Sequence, residues 1–121
     1  MLEVCVDGLA GVRAAHDGGA ARVELCAALE VGGVTPSLAM VRAAVAGPLP
    51  VHVLIRPRGG DFVYSEAEKA LIAADIVDIV AAGAAGIVIG AGDRSALDLA
   101  VLRSWGDLAR RGADARGVPS V

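Results

Sequence analysis

Four short apolar runs divide the chain, and segments with a helical pattern separate them. The runs cover residues 2–6, 22–26, 51–55 and 86–90, and each has the length of a buried strand. The intervening segments place apolar residues at helical spacing and close with glycine-rich stretches. Strands that alternate with helices predict parallel βαβ units. We therefore expect an α/β protein built on a parallel sheet.

Two of the helical segments carry explicit start signals. The segment from Ser65 to Glu68 is a capping box ahead of a periodic apolar stretch, which predicts a helix that ends at Gly83. In the second segment Thr35 can cap a helix that has Pro36 in its first position, where no N–H donor is needed. These two helices should lead out of the second and third strands.

The last part of the chain predicts a fourth helix and an ambiguous tail. The helix should start at about Ser95 and place Trp105 on its apolar stripe with Leu99, Leu102 and Ala109. After Arg111 the sequence loosens, which predicts either a frayed end or a fifth strand that starts near Val118. We treat residues 1–121 as a single domain whose tail, from about residue 112, is the least defined part.

The side chains along the strands alternate between an apolar and a polar face. The polar face would carry Glu3, Cys5, Asp7, Arg22, Glu24, Cys26, His52, Leu54 and Arg56. An open sheet covered by helices on both sides would be apolar on both faces. A polar face therefore indicates a sheet that curls around a shared interior, as in a (β/α)8 barrel.

Composition and charge exclude several classes of function. Aromatic residues make up 2% of the chain and the net charge is −3, which argues against nucleic-acid binding. The longest uncharged stretch, residues 79–92, is too short for a membrane span, and acidic Glu3 near the N-terminus does not suit a signal peptide. We expect a soluble, cytoplasmic protein with neither a nucleic-acid nor a membrane partner.

Cys5 and Cys26 are the only cysteines, and both fall on the polar face of neighbouring strands. Adjacent parallel strands lie about 4.8 Å apart, so the two sulfurs can share one soft ion. Thiolate ligands suit Cu(I). The alternative is that both thiols are reduced and simply buried, because free cysteine often acts as a small apolar residue.

Charged residues on the same face allow two interpretations. Glu3 and Glu24 would point inward near Arg22, Arg56 and Arg58, and charges are seldom buried unless they are paired. The set could be a structural ion-pair network inside the barrel. It could also form a polar pocket in which carboxylates act as acid and base and arginines bind an anion.

Two further features extend this pocket. The stretch RPRGGDF follows the third strand, and His52 lies within that strand on the inward face. Asp61 lies in the loop, on the side where barrel loops build sites, and could bind a ligand or hold Arg58 in place. Gly59 and Gly60 permit close approach of a ligand or a tight turn. His52 could be a third metal ligand, a base, or a satisfied core histidine.

The stretches LEVCVD, GGAARVELCAALEVGGVTPS, VHVLIRPRGGDFVYSEAE and GAAGIVIG occur in an order and at a spacing that resemble the copper homeostasis protein CutC family. The resemblance runs from about residue 2 to residue 103, and the tail after Trp105 fits it poorly. It implies a TIM barrel, a cytoplasmic location and a role in copper handling. It also implies that Cys5 and Cys26 match the proposed Cu(I) ligands.

Members of that family are about twice as long, so the sequence is expected to provide about the first four βα units of the barrel. Four units leave two strand edges unpaired, which predicts a homo-oligomer or a poorly stable chain. Two rival functions stay open beside copper handling. One is a TIM-barrel enzyme with an unassigned small-molecule substrate and unknown catalytic residues, and the other is an inactive fragment.

Overall fold

The computed structural model describes residues 1–116, in which βα units follow one another along the chain. The strands and helices are β1 (Glu3–Val6), α1 (Leu9–Asp17), β2 (Arg22–Leu25), α2 (Leu38–Val45), β3 (Val51–Leu54), α3 (Glu66–Ala81), β4 (Gly86–Val88) and α4 (Leu99–Ala115). A short 3-10 helix, Leu29–Val31, lies between β2 and α2. The predicted α/β alternation is confirmed, and each strand is one or two residues shorter than its apolar run.

The four strands form one parallel sheet in the order β1-β2-β3-β4. Cys5 pairs with Glu24 across β1 and β2, Glu24 with His52 across β2 and β3, and His52 with Gly86 across β3 and β4. Because side chains in register point to the same face of a sheet, these four positions form one row. Sequential parallel strands in this order correspond to four consecutive units of a (β/α)8 barrel.

The apolar face of the sheet packs against the helices and forms the core. Val23, Leu25, Val51 and Val53 from the two central strands are at most 2% exposed. The helices supply the opposite side of the core with Val12, Val41, Ile72, Ile76, Ile79, Val80 and Trp105. The predicted division between an apolar and a polar face of the sheet is therefore confirmed for the central strands.

The start of α3 agrees with the sequence, and so does most of its apolar stripe. The Ser65 side chain accepts from the Glu68 amide, and the Glu68 carboxylate accepts from the Ser65 amide, which completes the capping box. Leu71 is one of the apolar residues at helical spacing in this segment, but it is 51% exposed. None of the helices in residues 1–116 is both long and apolar enough to cross a bilayer.

The predicted cap of α2 is wrong. Ser37 caps this helix and accepts from the Met40 amide at 3.1 Å, so the helix begins two residues later than expected. Thr35 instead bonds to the backbone of Arg56: its hydroxyl accepts from the Arg56 amide at 2.8 Å, and its amide donates to the Arg56 carbonyl. These bonds tie the loop after β2 to the end of β3.

The fourth helix differs from its prediction at both ends. It begins at Leu99 rather than near Ser95, because the Asp98 carboxylate accepts from the Val101 amide and caps it. It also continues past Arg111 to Ala115, so the loss of helical structure expected directly after Arg111 is wrong. The strand predicted near residue 118 lies outside the described residues.

Candidate metal centre

Three potential metal ligands meet on the polar face where β1 and β2 run side by side. Cys5 lies in β1, Glu24 in β2, and Cys26 directly follows β2. The two sulfurs are 3.6 Å apart, and the Cys26 Sγ lies 3.7 Å from a Glu24 carboxylate oxygen. One donor atom from each residue lies within 4.8 Å of the other two. We call these three residues the thiol–carboxylate cluster.

The two thiols of the cluster have different access to solvent. Cys26 is 2% exposed, whereas Cys5 is exposed. Burial raises the pKa of the Cys26 thiol, and the neighbouring Cys5 and Glu24 raise it further, because a thiolate there would face other negative groups. A bound cation would remove that repulsion and favour the thiolate.

Gly33 brings the loop after β2 directly over the cluster. A Cβ atom at this position would lie 2.9 Å from the Leu54 side chain and 3.5 Å from the Cys26 sulfur. The Gly33 φ angle of +92° is also one that residues with a side chain rarely adopt. The second glycine of GGVTPS is therefore required for close packing on the buried thiol.

Arg56 holds this loop in place and does not enter the cluster. It is 8% exposed, and its guanidinium donates to the backbone carbonyls of Val31, Gly33 and Gly60 at 2.8–3.0 Å. It also lies over the Phe62 ring, 5.0 Å from the centroid. Its geometry is that of a structural cation that supports the loop above Cys26.

Arg58 and Asp61 also lie in the loop after β3, away from the thiol–carboxylate cluster. The Arg58 guanidinium is paired with the Glu68 carboxylate, which belongs to the capping box, and reaches Asp61 Oδ1 at 3.3 Å. The bond from Arg58 is the main reason that the pKa of Glu68 is lowered. Asp61 in turn accepts from the Val63 amide. This geometry fits the alternative in which Asp61 holds Arg58.

Glu3, Arg22 and His52 complete the polar face on the other side of the cluster. The Glu3 carboxylate forms an ion pair with Arg22, and each side chain is about 30% exposed. His52 is 9% exposed and rests on Gly86, where a Cβ would come within 2.6 Å of the imidazole ring. Burial, followed by the charge of Arg22, lowers the pKa of His52.

The structure thus divides the sequence candidates into two groups. Glu24 joins Cys5 and Cys26, whereas His52 is not among the donors that lie within 4.8 Å of one another in residues 1–116. The proximity of Glu24 to the thiols follows from the register of β1 against β2, which pairs it with Cys5. That register cannot be read from the chain, so the sequence places Glu24 in a broad pocket rather than beside the sulfurs.

A parallel sheet with a polar inner face and a thiol–carboxylate cluster defines an α/β protein of the (β/α)8-barrel type that has a candidate metal centre. The sequence model of the CutC family matches residues 1–113 of this chain. The match continues past Trp105 to residue 113, near the end of α4, so the poor fit expected after Trp105 is wrong for residues 106–113. The chain belongs to the CutC family.

Curated relatives support this assignment over most of the chain. A CutC family protein of Agrobacterium fabrum (strain C58) is 53% identical over 116 residues, which cover 94% of this chain and 44% of the relative. One from Mesorhizobium japonicum is 50% identical over 91 residues, which cover 74% of this chain and 35% of the relative. The chain therefore spans less than half the length of these relatives.

Two solved structures resemble the fold. A CutC protein of Streptococcus agalactiae, named for copper homeostasis, superimposes with a TM-score of 0.83 at 30% identity, over 91% of this chain and 55% of that one. A protein of Burkholderia cenocepacia named as a phosphonomutase gives a TM-score of 0.66 at 23% identity, over 98% of this chain and 51% of that one. The second similarity shows the fold alone.

Proposed function

We propose that this chain is a cytoplasmic Cu(I)-binding protein of copper homeostasis, in which Cys5 and Cys26 hold the ion as cargo. The observation that carries the proposal is the 3.6 Å separation of the two sulfurs, because one ion in a bent arrangement can contact both at that distance. Thiolates are soft ligands and favour Cu(I) over harder cations. The name of the Streptococcus agalactiae protein points in the same direction.

Access to the two thiols also supports a role in handling copper. Exposed Cys5 can take an ion from a donor molecule, and buried Cys26 can then complete the site in surroundings that exclude water. Arg56 donates a hydrogen bond to the Gly33 carbonyl, and this bond keeps the loop packed over Cys26. A protein that binds and releases copper requires one ligand that other molecules can reach.

A Cu(I) titration against a competing chelator tests this proposal under reducing conditions. We expect one Cu(I) per chain, and we expect Cys5→Ser or Cys26→Ser to lower the affinity by more than 100-fold. The matched control combines Cys26→Ser with Ser104→Cys, which keeps two thiols but moves one to an exposed position on α4. If the control or either single variant binds as tightly as the wild type, the thiols are not the site.

A second candidate function, a TIM-barrel enzyme, is favoured by the polar row beside the cluster. His52, with its lowered pKa, shares the inner face with Glu3, Arg22 and Glu24, so a base and paired charges face one interior. Arg56, by contrast, is bonded to loop carbonyls. A small acidic or phosphorylated metabolite that co-purifies with a full-length relative would favour this function over copper handling.

Unpaired strand edges support the proposal that this single-domain chain forms a homo-oligomer. Within residues 1–116, β1 pairs only with β2 and β4 pairs only with β3, so each outer strand leaves one edge free. Beside β4 lies a groove of about 180 Å³ lined by Ile87, Ile89 and small residues of α4. Size-exclusion chromatography with light scattering should show a mass above 12.1 kDa, and a stable monomer would contradict the proposal.

A further inference from the structure

The thiol–carboxylate cluster contains a donor that Cu(I) does not need. Glu24 brings a hard carboxylate oxygen to 3.7 Å from the Cys26 sulfur, on the same side as the Cys5 sulfur. The carboxylate of Glu3 on this face is already paired with Arg22. Within residues 1–116, the Glu24 carboxylate accepts from the Cys26 thiol and forms no ion pair. Glu24 is therefore available to a metal ion.

Two of the three donor–donor distances in the cluster match the edges of a tetrahedron around a small dication. Zinc–sulfur bonds of about 2.3 Å at a tetrahedral angle hold two sulfurs about 3.8 Å apart, and a zinc–carboxylate bond of about 2.1 Å sets a sulfur–oxygen edge of about 3.6 Å. The structure has 3.6 Å between the sulfurs and 3.7 Å between Cys26 Sγ and Glu24 Oε1. Two edges of the cluster thus agree with the tetrahedron to about 0.2 Å.

A linear two-sulfur site fits the observed separation of the sulfurs less well. With metal–sulfur bonds of about 2.3 Å, two sulfurs on opposite sides of one ion lie about 4.6 Å apart. Cys5 and Cys26 would have to separate by about 1 Å to reach that arrangement, and Cys26 is buried under Gly33. The fold therefore favours a bent arrangement that leaves room for a third ligand.

We propose that Cys5, Cys26 and Glu24 also form a three-ligand tetrahedral Zn(II) site whose fourth position is open to water or an external ligand. This inference rests on the proposed function, because the same two thiols are the metal ligands in both. It adds that Glu24 makes the site accept a borderline dication in addition to Cu(I). Three protein ligands and one open position are typical of zinc sites that exchange or activate a ligand.

Charge gives an independent reason for this selectivity. Two thiolates and one carboxylate carry three negative charges within 4.8 Å of one another. A dication compensates more of this charge than Cu(I) does, and its attraction for Glu24 is correspondingly stronger. Cu(I), a soft monocation, gains little from a carboxylate oxygen. Glu24 should therefore contribute to Zn(II) affinity and contribute little to Cu(I) affinity.

Titration of the full 121-residue chain with Zn(II) alone, and with Co(II) as its spectroscopic substitute, tests the inference. We expect one Zn(II) per chain, and intense visible Co(II) bands of a tetrahedral site together with sulfur-to-cobalt charge-transfer bands. Glu24→Gln should lower Zn(II) affinity at least tenfold and change Cu(I) affinity less than twofold. The matched control is Glu30→Gln, an exposed glutamate of the 3-10 helix, which should change neither affinity.

The outcomes separate this inference from the proposed function. Weak octahedral Co(II) bands, or a Zn(II) affinity that Glu24→Gln leaves unchanged, would overturn the zinc site while Cu(I) binding by the two thiols stands. Equal losses of Zn(II) and Cu(I) affinity in Glu24→Gln would also overturn it, because Glu24 would then be a general support of the site. Zn(II) binding that Cys26→Ser removes, without any Cu(I) binding, would retain the zinc site and refute the copper function.

Discussion

Two polar regions of this molecule adjoin the same loop after β2 and differ in how their side chains find partners. In the loop after β3, Arg56 and Arg58 donate to backbone carbonyls of the loops after β2 and β3, and Arg58 also pairs with the Glu68 carboxylate of α3. In the thiol–carboxylate cluster, the neutral Cys26 thiol donates to the Glu24 carboxylate, and ionisation of the thiols would bring like charges together. In the first region, both Nη atoms of Arg56 and of Arg58 have partners within the chain, whereas the function proposed for the second region requires a cation.

The difference teaches that clustered charge alone does not mark a functional site. A buried charge that finds every partner within the chain stabilises the local structure. Thiols that face one another and a carboxylate stay protonated unless a cation favours the thiolate form. Mutations should therefore affect stability in the loop region and metal binding in the cluster.

Arg56→Met should give the largest loss of stability, because it removes three hydrogen bonds from a buried position and leaves carbonyls without a donor. We expect the free energy of unfolding to fall by about 3 kcal/mol, measured by urea denaturation. Arg103→Met, at an exposed position on α4, is the control and should change stability by less than about 0.5 kcal/mol. Similar effects of the two variants would mean that Arg56 does not support the loop.

Gly86→Ala should have the next largest effect, on the polar face itself. The added methyl group would lie 2.6 Å from the His52 ring, so the ring or β4 must shift, at a cost of about 2 kcal/mol. Gly59→Ala is the control, since its Cβ would make only an ordinary contact with Val31. If Gly86→Ala is as stable as its control, the imidazole does not pack on β4 as described.

Ser65→Ala should cost about 1 kcal/mol, because it removes one half of the capping box of α3. Cu(I) affinity should stay within twofold of the wild-type value, since the cap belongs to the loop region. Ser104→Ala, at an exposed position inside α4, should be close to neutral. A loss of copper affinity in Ser65→Ala would show that the two regions are coupled.

The smallest effect should be a pH dependence that arises from His52. Its pKa is lowered in the folded state, so the unfolded chain binds the proton more readily and stability falls as the pH drops below about 6.5. His52→Gln should flatten this part of the profile, measured as urea midpoints between pH 8 and pH 5. His16→Gln keeps His52 and should retain the slope. An unchanged slope in His52→Gln would assign the effect to other groups.

Most of the fold follows from local patterns in the sequence. The apolar runs identify all four strands, and the capping box marks α3, because these signals depend on nearby residues. Thr35 was assigned the wrong role, since its hydroxyl bonds to Arg56, 21 positions away in the sequence. Long-range partners of this kind compete with local capping and cannot be seen in a single sequence.

The candidate site could be predicted only in part, for the same reason. Strand alternation places Cys5 and Cys26 on one face, which the structure confirms. It also places Arg56 on that face, because the alternation of the third strand was extended as far as Arg56. In the structure β3 ends at Leu54. After the strand ends, alternation no longer dictates direction, and the Arg56 guanidinium donates to loop carbonyls.

The most direct test of the central claim is X-ray absorption spectroscopy of the chain loaded with one equivalent of Cu(I). If Cys5 and Cys26 share the ion, the spectrum should show two sulfur atoms in the first coordination shell of copper, and Cys26→Ser should reduce this number to one. A first shell of nitrogen and oxygen alone in the wild-type protein, or a sulfur count that Cys26→Ser does not change, would contradict the account.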